Sequence, residues 1–257
     1  MENLIGFFFF FLSGVLFGLF GAGGSLITIP ILTFFFDLPF KISTTYSLIV
    51  VFLVSFFGVL RSKKNDFNNI KPIIFFGISS LIGVLFSRYI FFQIIPEQIL
   101  FIIFIIFLFF SGILLVIKNN QRDYERNYVQ NIRYNLNFIF LQGFFIGIFT
   151  GLLGVGGGFL IVPILILFQN FNIKQAATAS IFLIFLNSCL AIIIDIFGNY
   201  FFISYRFLFT IILISILGFI IGKKTQNLIN LKLAQKLFAF FLILISLILS
   251  FNIYIQG

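Results

Sequence analysis

The chain has 257 residues, 61% of them hydrophobic and 9% charged, with a formal net charge of +9. Ordinary soluble domains carry roughly 25% charged residues, so this composition, at a mean hydropathy of +1.21, excludes a soluble globular domain. The surplus of Lys and Arg raises the question of nucleic-acid binding, but those residues flank apolar spans in small groups, as membrane topology requires, and no nucleic-acid partner is expected.

In chain order, the first apolar segment is a broken one, with arms over 4–20 and 25–36 on either side of the glycines at 21–24. Helices are predicted over 44–60, 72–92 and 98–117. A hydrophilic stretch, 118–137, divides the chain. The plan then repeats: a broken segment over 138–168, followed by helices over 177–197, 205–222 and 233–251. Runs of this length cross ~30 Å of hydrocarbon. The expected architecture is an all-α integral membrane protein of about 8 hydrophobic segments, with a first membrane repeat (1–117), a polar cytoplasmic linker (118–137) and a second membrane repeat (138–257). Met1-Glu2-Asn3 lacks a positive n-region, so the amino-terminal segment reads as a retained helix and not a signal peptide.

The 45 Phe residues run in blocks such as 7–11, without helical spacing, and fit a compositional bias of an A+T-rich genome better than a ligand surface. Cys189 is the only cysteine and reads as a packing residue; with no His and no second thiol, neither a metal site nor a cofactor is expected. No phosphate-binding loop is present, because Leu217 stands where Gly222-Lys223-Lys224 would need its upstream glycine, and no catalytic set is visible, so an enzyme is not expected.

The two broken segments are copies. Gly14–Leu32 and Gly147–Leu165 align without a gap, and extension to Ser55 and Ser188 gives 16 identities in 42 positions. Gly14, Gly18, Gly21, Gly23, Gly24 and Pro30 match Gly147, Gly151, Gly154, Gly156, Gly157 and Pro163. Duplicated halves with matching Gly/Pro-broken segments point to the substrate site of a secondary transporter.

The distribution of Lys and Arg tests the topology. If each broken segment crosses once, the two sides carry nine and seven, which is no bias. If each turns at its glycines and returns, one side collects the groups within 61–71, 118–133 and 223–236 together with Lys174, thirteen in all, and the other keeps Lys41, Arg88 and Arg206. Thirteen against three is a strong positive-inside signal. It predicts two inverted repeats, each a glycine-broken hairpin segment followed by three transmembrane helices, with both termini outside. Re-entrant hairpins are favoured over two full passes because the return arms are short; about 12 residues reach ~18 Å.

The tips supply backbone amides with no intrahelical partner, at the positive end of a helix dipole, which favours an anion. The candidate substrate-binding residues are Gly21, Gly23, Gly24 and Ser25 in the first tip and Gly154, Gly156, Gly157 and Gly158 in the second. Thr45, Ser47, Thr178 and Ser180 recur at matched positions on the following helices and suit a polar path, although such hydroxyls also bond their own backbone. Asn187, opposite Val54 in the alignment, bonds between helices or contacts substrate. Gly14-x-x-x-Gly18, Gly147-x-x-x-Gly151 and Gly218-x-x-x-Gly222 read as helix-packing pairs, and Gly14→Ala is expected to be mild. Asp195 reads as a solvated helix end, with proton coupling as the alternative; Asp37 and Glu97 read as loop residues.

The doubled pattern of a glycine-rich break followed by Pro30-Ile31-Leu32 and Pro163-Ile164-Leu165 resembles the TauE/SafE family of sulfite exporters and related permeases. That resemblance implies a multi-pass carrier of the bacterial inner membrane for sulfite or organosulfur anions; the leading reading is an alternating-access permease for a small anion. Ser25 stands where the second half has Gly158, so the two tips need not bind alike. A passive anion channel and a non-transporting scaffold subunit are the alternatives. The substrate, direction, coupling ion and oligomeric state are not legible here.

Overall fold

The computed structural model describes residues 2–21, 24–62, 70–119, 135–169, 171, 173–198, 204–226, 228 and 231–256. Among the described residues every regular element is helical: α1 (Glu2–Phe20), α2 (Gly24–Phe35), α3 (Phe40–Leu60), α4 (Ile70–Ile94), α5 (Glu97–Asn119), α6 (Leu136–Leu153), α7 (Gly158–Gln169), α8 (Ile173–Phe197), α9 (Tyr205–Thr225) and α10 (Leu231–Gln256). Five of them, α3, α4, α6, α8 and α9, contain apolar stretches long enough to cross a membrane. Large apolar side chains such as Phe8, Ile106, Phe109 and Phe240 face outward, as a lipid-facing surface demands.

Each broken segment is a hairpin. Phe7 and Phe9 of α1 pack against Phe36 and Phe35 at centroid distances of 5.5 and 5.3 Å, so the end of α2 lies beside the start of α1. At the other end Gly24 sits on the Ser13 carbonyl, where a Cβ has no room. The second hairpin repeats this, with Phe138 of α6 5.5 Å from Phe168 of α7, and Gly157 closed against Thr150. The reversal is a glycine property: Gly21, Gly154, Gly156 and Gly157 have φ of 66, 68, 70 and 72°, in the left-handed region that side chains rarely adopt. Gly154 ends α6 by donating its amide to the Thr150 carbonyl at 3.0 Å.

The helices pair across the two halves. α1 packs on α9 and α4 on α6, while α3 packs on α8 and α5 on α10, so exchanging the halves maps this set of contacts onto itself. The register agrees: Gly14 faces the Ser215 carbonyl and Gly147 faces the Ser80 carbonyl. Gly21 faces Ala177 and Gly154 faces Thr44, whose positions are equivalent in the repeat. α1 and α9 run parallel, with Gly18 beside Phe219 and Lys223, whereas α3 and α8 are antiparallel, with Thr45 bonded to Asp195 and Gly58 beside Ile181.

Two expectations change. A Cβ at Gly14 would fall onto backbone, the Ser215 carbonyl, so Gly14→Ala is not mild; Gly18, Gly218 and Gly222 close the same interface from both helices. α4 is also not a plain helix: residues Ser87–Phe91 form one π-helical turn. Such a turn carries an extra residue and marks functional positions often.

Candidate substrate site

Both return helices begin midway along the central pair. Gly24 and Ser25, the first residues of α2, border a cavity shared with Val50 and Val51 near the middle of α3. Gly156, just before α7, sits against Val51 and against Ile184 near the middle of α8. Val51 and Ile184 are themselves equivalent positions of the repeat. Gly24, Ser25, Gly156, Gly157 and Gly158 are all buried. Two helix starts, each with amides lacking intrahelical acceptors, therefore meet the same level from opposite directions. Gly23 lies outside the described residues.

The remaining predicted residues separate. Thr45 and Gly154 lie at one end of the central pair, where Gly154 faces Thr44. Thr178, Ser180 and Gly21 lie at the other; Ser180 Oγ is within donating distance of the Gly21 carbonyl at 3.0 Å and of the Ala177 carbonyl at 2.8 Å. Asp195 and Thr178 are 17 residues apart on α8, or ~25 Å of helix. The two threonines thus belong to opposite ends and not to the midpoint. Ser47 Oγ is buried and has no protein partner. Asn187 Oδ1 accepts from Ser80 Oγ at 2.9 Å, joining α8 to α4, and its Nδ2 has no protein partner. Ser55 and Ser188 bond their own helices, to Phe52 O at 2.9 Å and Ile184 O at 2.7 Å.

The most concentrated polar cluster takes in the predicted Thr45, but its charged centre was not among the predicted site residues. Arg88, in the π turn of α4, is 1% exposed, and Asp195, near the end of α8, is 1% exposed. Arg88 Nε donates to Asp195 Oδ1 at 2.7 Å and Nη2 to Oδ2 at 2.6 Å, a two-point pair. Nη2 also reaches Thr44 Oγ1 and Thr45 Oγ1, each at 3.2 Å, and Thr45 Oγ1 donates to Asp195 Oδ2 at 2.8 Å. Nη1 donates at 3.0 Å to the Gly151 carbonyl, one of the last of α6, and the guanidinium lies 3.6 Å from the Phe92 ring centre. Asp195 is therefore no solvated helix end, and Arg88 is no flanking topology charge.

Both lie inside predicted apolar spans, where an ionisable residue is a functional candidate by default; that was the available signal. The cluster clamps the tip of the second hairpin to α3, α4 and α8. Its counterpart differs. Since Ser80 and Ser215 occupy matching places, Arg88 corresponds to Lys223, eight residues further on in each case, and Lys223 is exposed. Asp195 corresponds to Ser62, and the end of α1 is held by Gln226 Nε2 donating to the Leu19 carbonyl at 2.7 Å. Glu97, expected in a loop, begins α5 and accepts the Lys41 amide at 3.2 Å, capping α3.

The family model for the sulfite exporter TauE/SafE matches residues 6–249. The chain belongs to the TauE/SafE family. Of its curated relatives, a probable membrane transporter protein of Methanocaldococcus jannaschii is 34% identical over 183 residues, covering 69% of this chain and 66%, just under two thirds, of the relative. The probable membrane transporter protein YunE of Bacillus subtilis is 27% identical over 203 residues, covering 69% of this chain and 72% of the relative. No solved structure matches. With the apolar helices, the family makes this TauE/SafE chain a multi-pass membrane protein.

Proposed function

We propose that this transporter is a secondary carrier that moves a small oxyanion, sulfite or an organosulfonate, across the cell membrane by alternating access. The observation that carries this reading is the meeting of two helix amino termini midway along α3 and α8. Free amides and the positive ends of two dipoles hold an anion without a buried lysine, whose desolvation would be costly. Hairpins entering from opposite faces, each clasped by helices of the other half, suit two inverted repeats that rock about a fixed central site. The thirteen Lys and Arg residues that this topology collects on the linker side support a cytoplasmic linker with both termini outside.

Within this mechanism the Arg88–Asp195 clamp seals the terminus side by fixing the end of α6. Opening that side requires the clamp to break or to move as one body with the hairpin. Purified protein in liposomes loaded with unlabelled sulfite should take up labelled sulfite saturably, and faster than empty liposomes do. Ohmic single-channel currents, or no flux of any sulfur oxyanion, would overturn the carrier reading.

A further inference from the structure

A groove of about 370 Å³ runs between α8 and α9, with α3 behind it. Among the described residues α8 and α9 each pack on α3 and hardly on each other, which leaves the gap. Ile49 of α3, 9% exposed, lies deepest; Cys189 and Ile193 of α8 and Tyr205 and Leu208 of α9 form the walls, with Tyr205 81% exposed at the rim. The start of α9 is held in place. The Ser204 amide donates to Tyr46 Oη at 2.8 Å, and Phe207 packs on Phe36 and Tyr46 at centroid distances of 4.7 and 5.8 Å. The groove also has a cause in the sequence. Ile49 and Cys189 correspond in the repeat to Phe182 and Phe56, so the smaller side chain of each pair borders it. Its volume lies within the ~300–1,000 Å³ of small-molecule sites.

We propose that this groove is a lipid site that holds one acyl chain of a phospholipid, with the phosphate at Arg206. The lining is apolar apart from the Cys189 thiol and the Tyr205 hydroxyl, and in a membrane the medium that meets it is hydrocarbon. Tyr205 begins an apolar stretch long enough to span the bilayer and marks the level of the headgroups, where tyrosine is enriched. Arg206 follows it, exposed and without an ion-pair partner among the described residues. It stands in the first turn of α9, which has no acidic residue and where the helix dipole disfavours a cation. A lipid phosphate supplies the missing counter-charge at that level, and its chain runs along the groove toward the middle of α3. A second copy of the chain fits less well, since a stable interface takes roughly 20–30 residues a side and eight line this groove. The site is independent of the transported solute.

The test uses the full-length protein purified in detergent, with the single-chain lipid lysophosphatidylglycerol as the probe. The readout is the rate at which N-ethylmaleimide alkylates Cys189, the only thiol of the chain, so the wild type reports on its own groove. The lipid should slow alkylation saturably, and native mass spectrometry should show one lipid on one chain before any second adduct. Arg206→Gln should raise the half-protecting lipid concentration about five- to tenfold. Lys71→Gln, at the exposed counterpart of Arg206 at the start of α4, is the control and should behave as wild type. Cys189→Phe, which places in the groove the ring that the other half carries at Phe56, should lose the first lipid by mass. Alkylation that stays fast at saturating lipid, or a first lipid retained by Cys189→Phe, overturns the groove as a lipid site. Equal behaviour of Arg206→Gln and Lys71→Gln overturns the phosphate contact. Protection that appears only together with the mass of two chains makes the occupant a second copy and overturns the proposal.

Discussion

Removing a guanidinium and a carboxylate from water costs several kcal/mol per ion, and geometry alone recovers it. At Arg88 and Asp195 the geometry is a two-point pair at 2.6 and 2.7 Å, reinforced by Thr44, Thr45 and the Gly151 carbonyl. Breaking one side leaves the other charge buried and unmatched. Asp195→Asn should therefore cost about 3–5 kcal/mol, seen as a large drop in unfolding temperature. Arg88→Met combined with Asp195→Leu should recover most of that loss, because an apolar pair leaves no charge stranded. If the double variant is no more stable than Asp195→Asn, the pair does not act as a unit. Asp195 was read as a solvated end because it lies two residues before the helix terminus, where water is usually near. What buries it is the π turn of α4, which places Arg88 alongside, and a π turn has no signature in composition or period.

Among the elements, the interlocked glycines separate packing from site. In α1 and α9, Gly14, Gly18, Gly218 and Gly222 each bring backbone against backbone, with carbonyls where a Cβ would stand. Small residues at such crossings let helices approach closely when no hydrophobic force between them is available in lipid. Gly14→Ala should cost about 1–3 kcal/mol by overpacking, read as lower unfolding temperature and yield. Gly6→Ala should cost less, because it meets the Phe36 ring edge and the Phe35 Cβ and no backbone carbonyl. Equal tolerance at both positions would contradict the packing assignment. Gly157→Leu should abolish transport, since it forces a side chain to φ of 72° and against Thr150; normal flux from that variant would remove the second tip from the site.

Element order and type were legible from hydropathy alone, and the hairpins from counting basic residues, because a wrong crossing number spoils the charge bias. The partners of the glycines were not legible. A small-xxx-small pattern says that something approaches closely, but it does not say whether the neighbour yields. The tip glycines were readable as reversals because two copies kept register.

For the whole molecule, the one-sided clamp would make the proposed alternating-access cycle asymmetric. One end of the central pair carries a buried ion pair, while the corresponding place near Lys223 holds Ser62 and a Gln226–Leu19 bond. Weakening the clamp without stranding a charge, as in Thr45→Val, should shift the balance toward opening on the terminus side. That shift would be read as faster labelling of a cysteine introduced near Thr44 by an impermeant maleimide, in a Cys189→Ser background. No change in labelling would separate the clamp from the gate.

All of this depends on each half making an odd number of net crossings, so that the two hairpins enter from opposite faces. The direct measurement is labelling of Asn3→Cys and Asn127→Cys, each in the Cys189→Ser background, by a membrane-impermeant maleimide on intact cells. The account predicts that Asn3→Cys is labelled in intact cells and Asn127→Cys only after permeabilisation. Labelling of both from the same face would mean an even number of crossings, and would contradict the opposed hairpins and the shared central site.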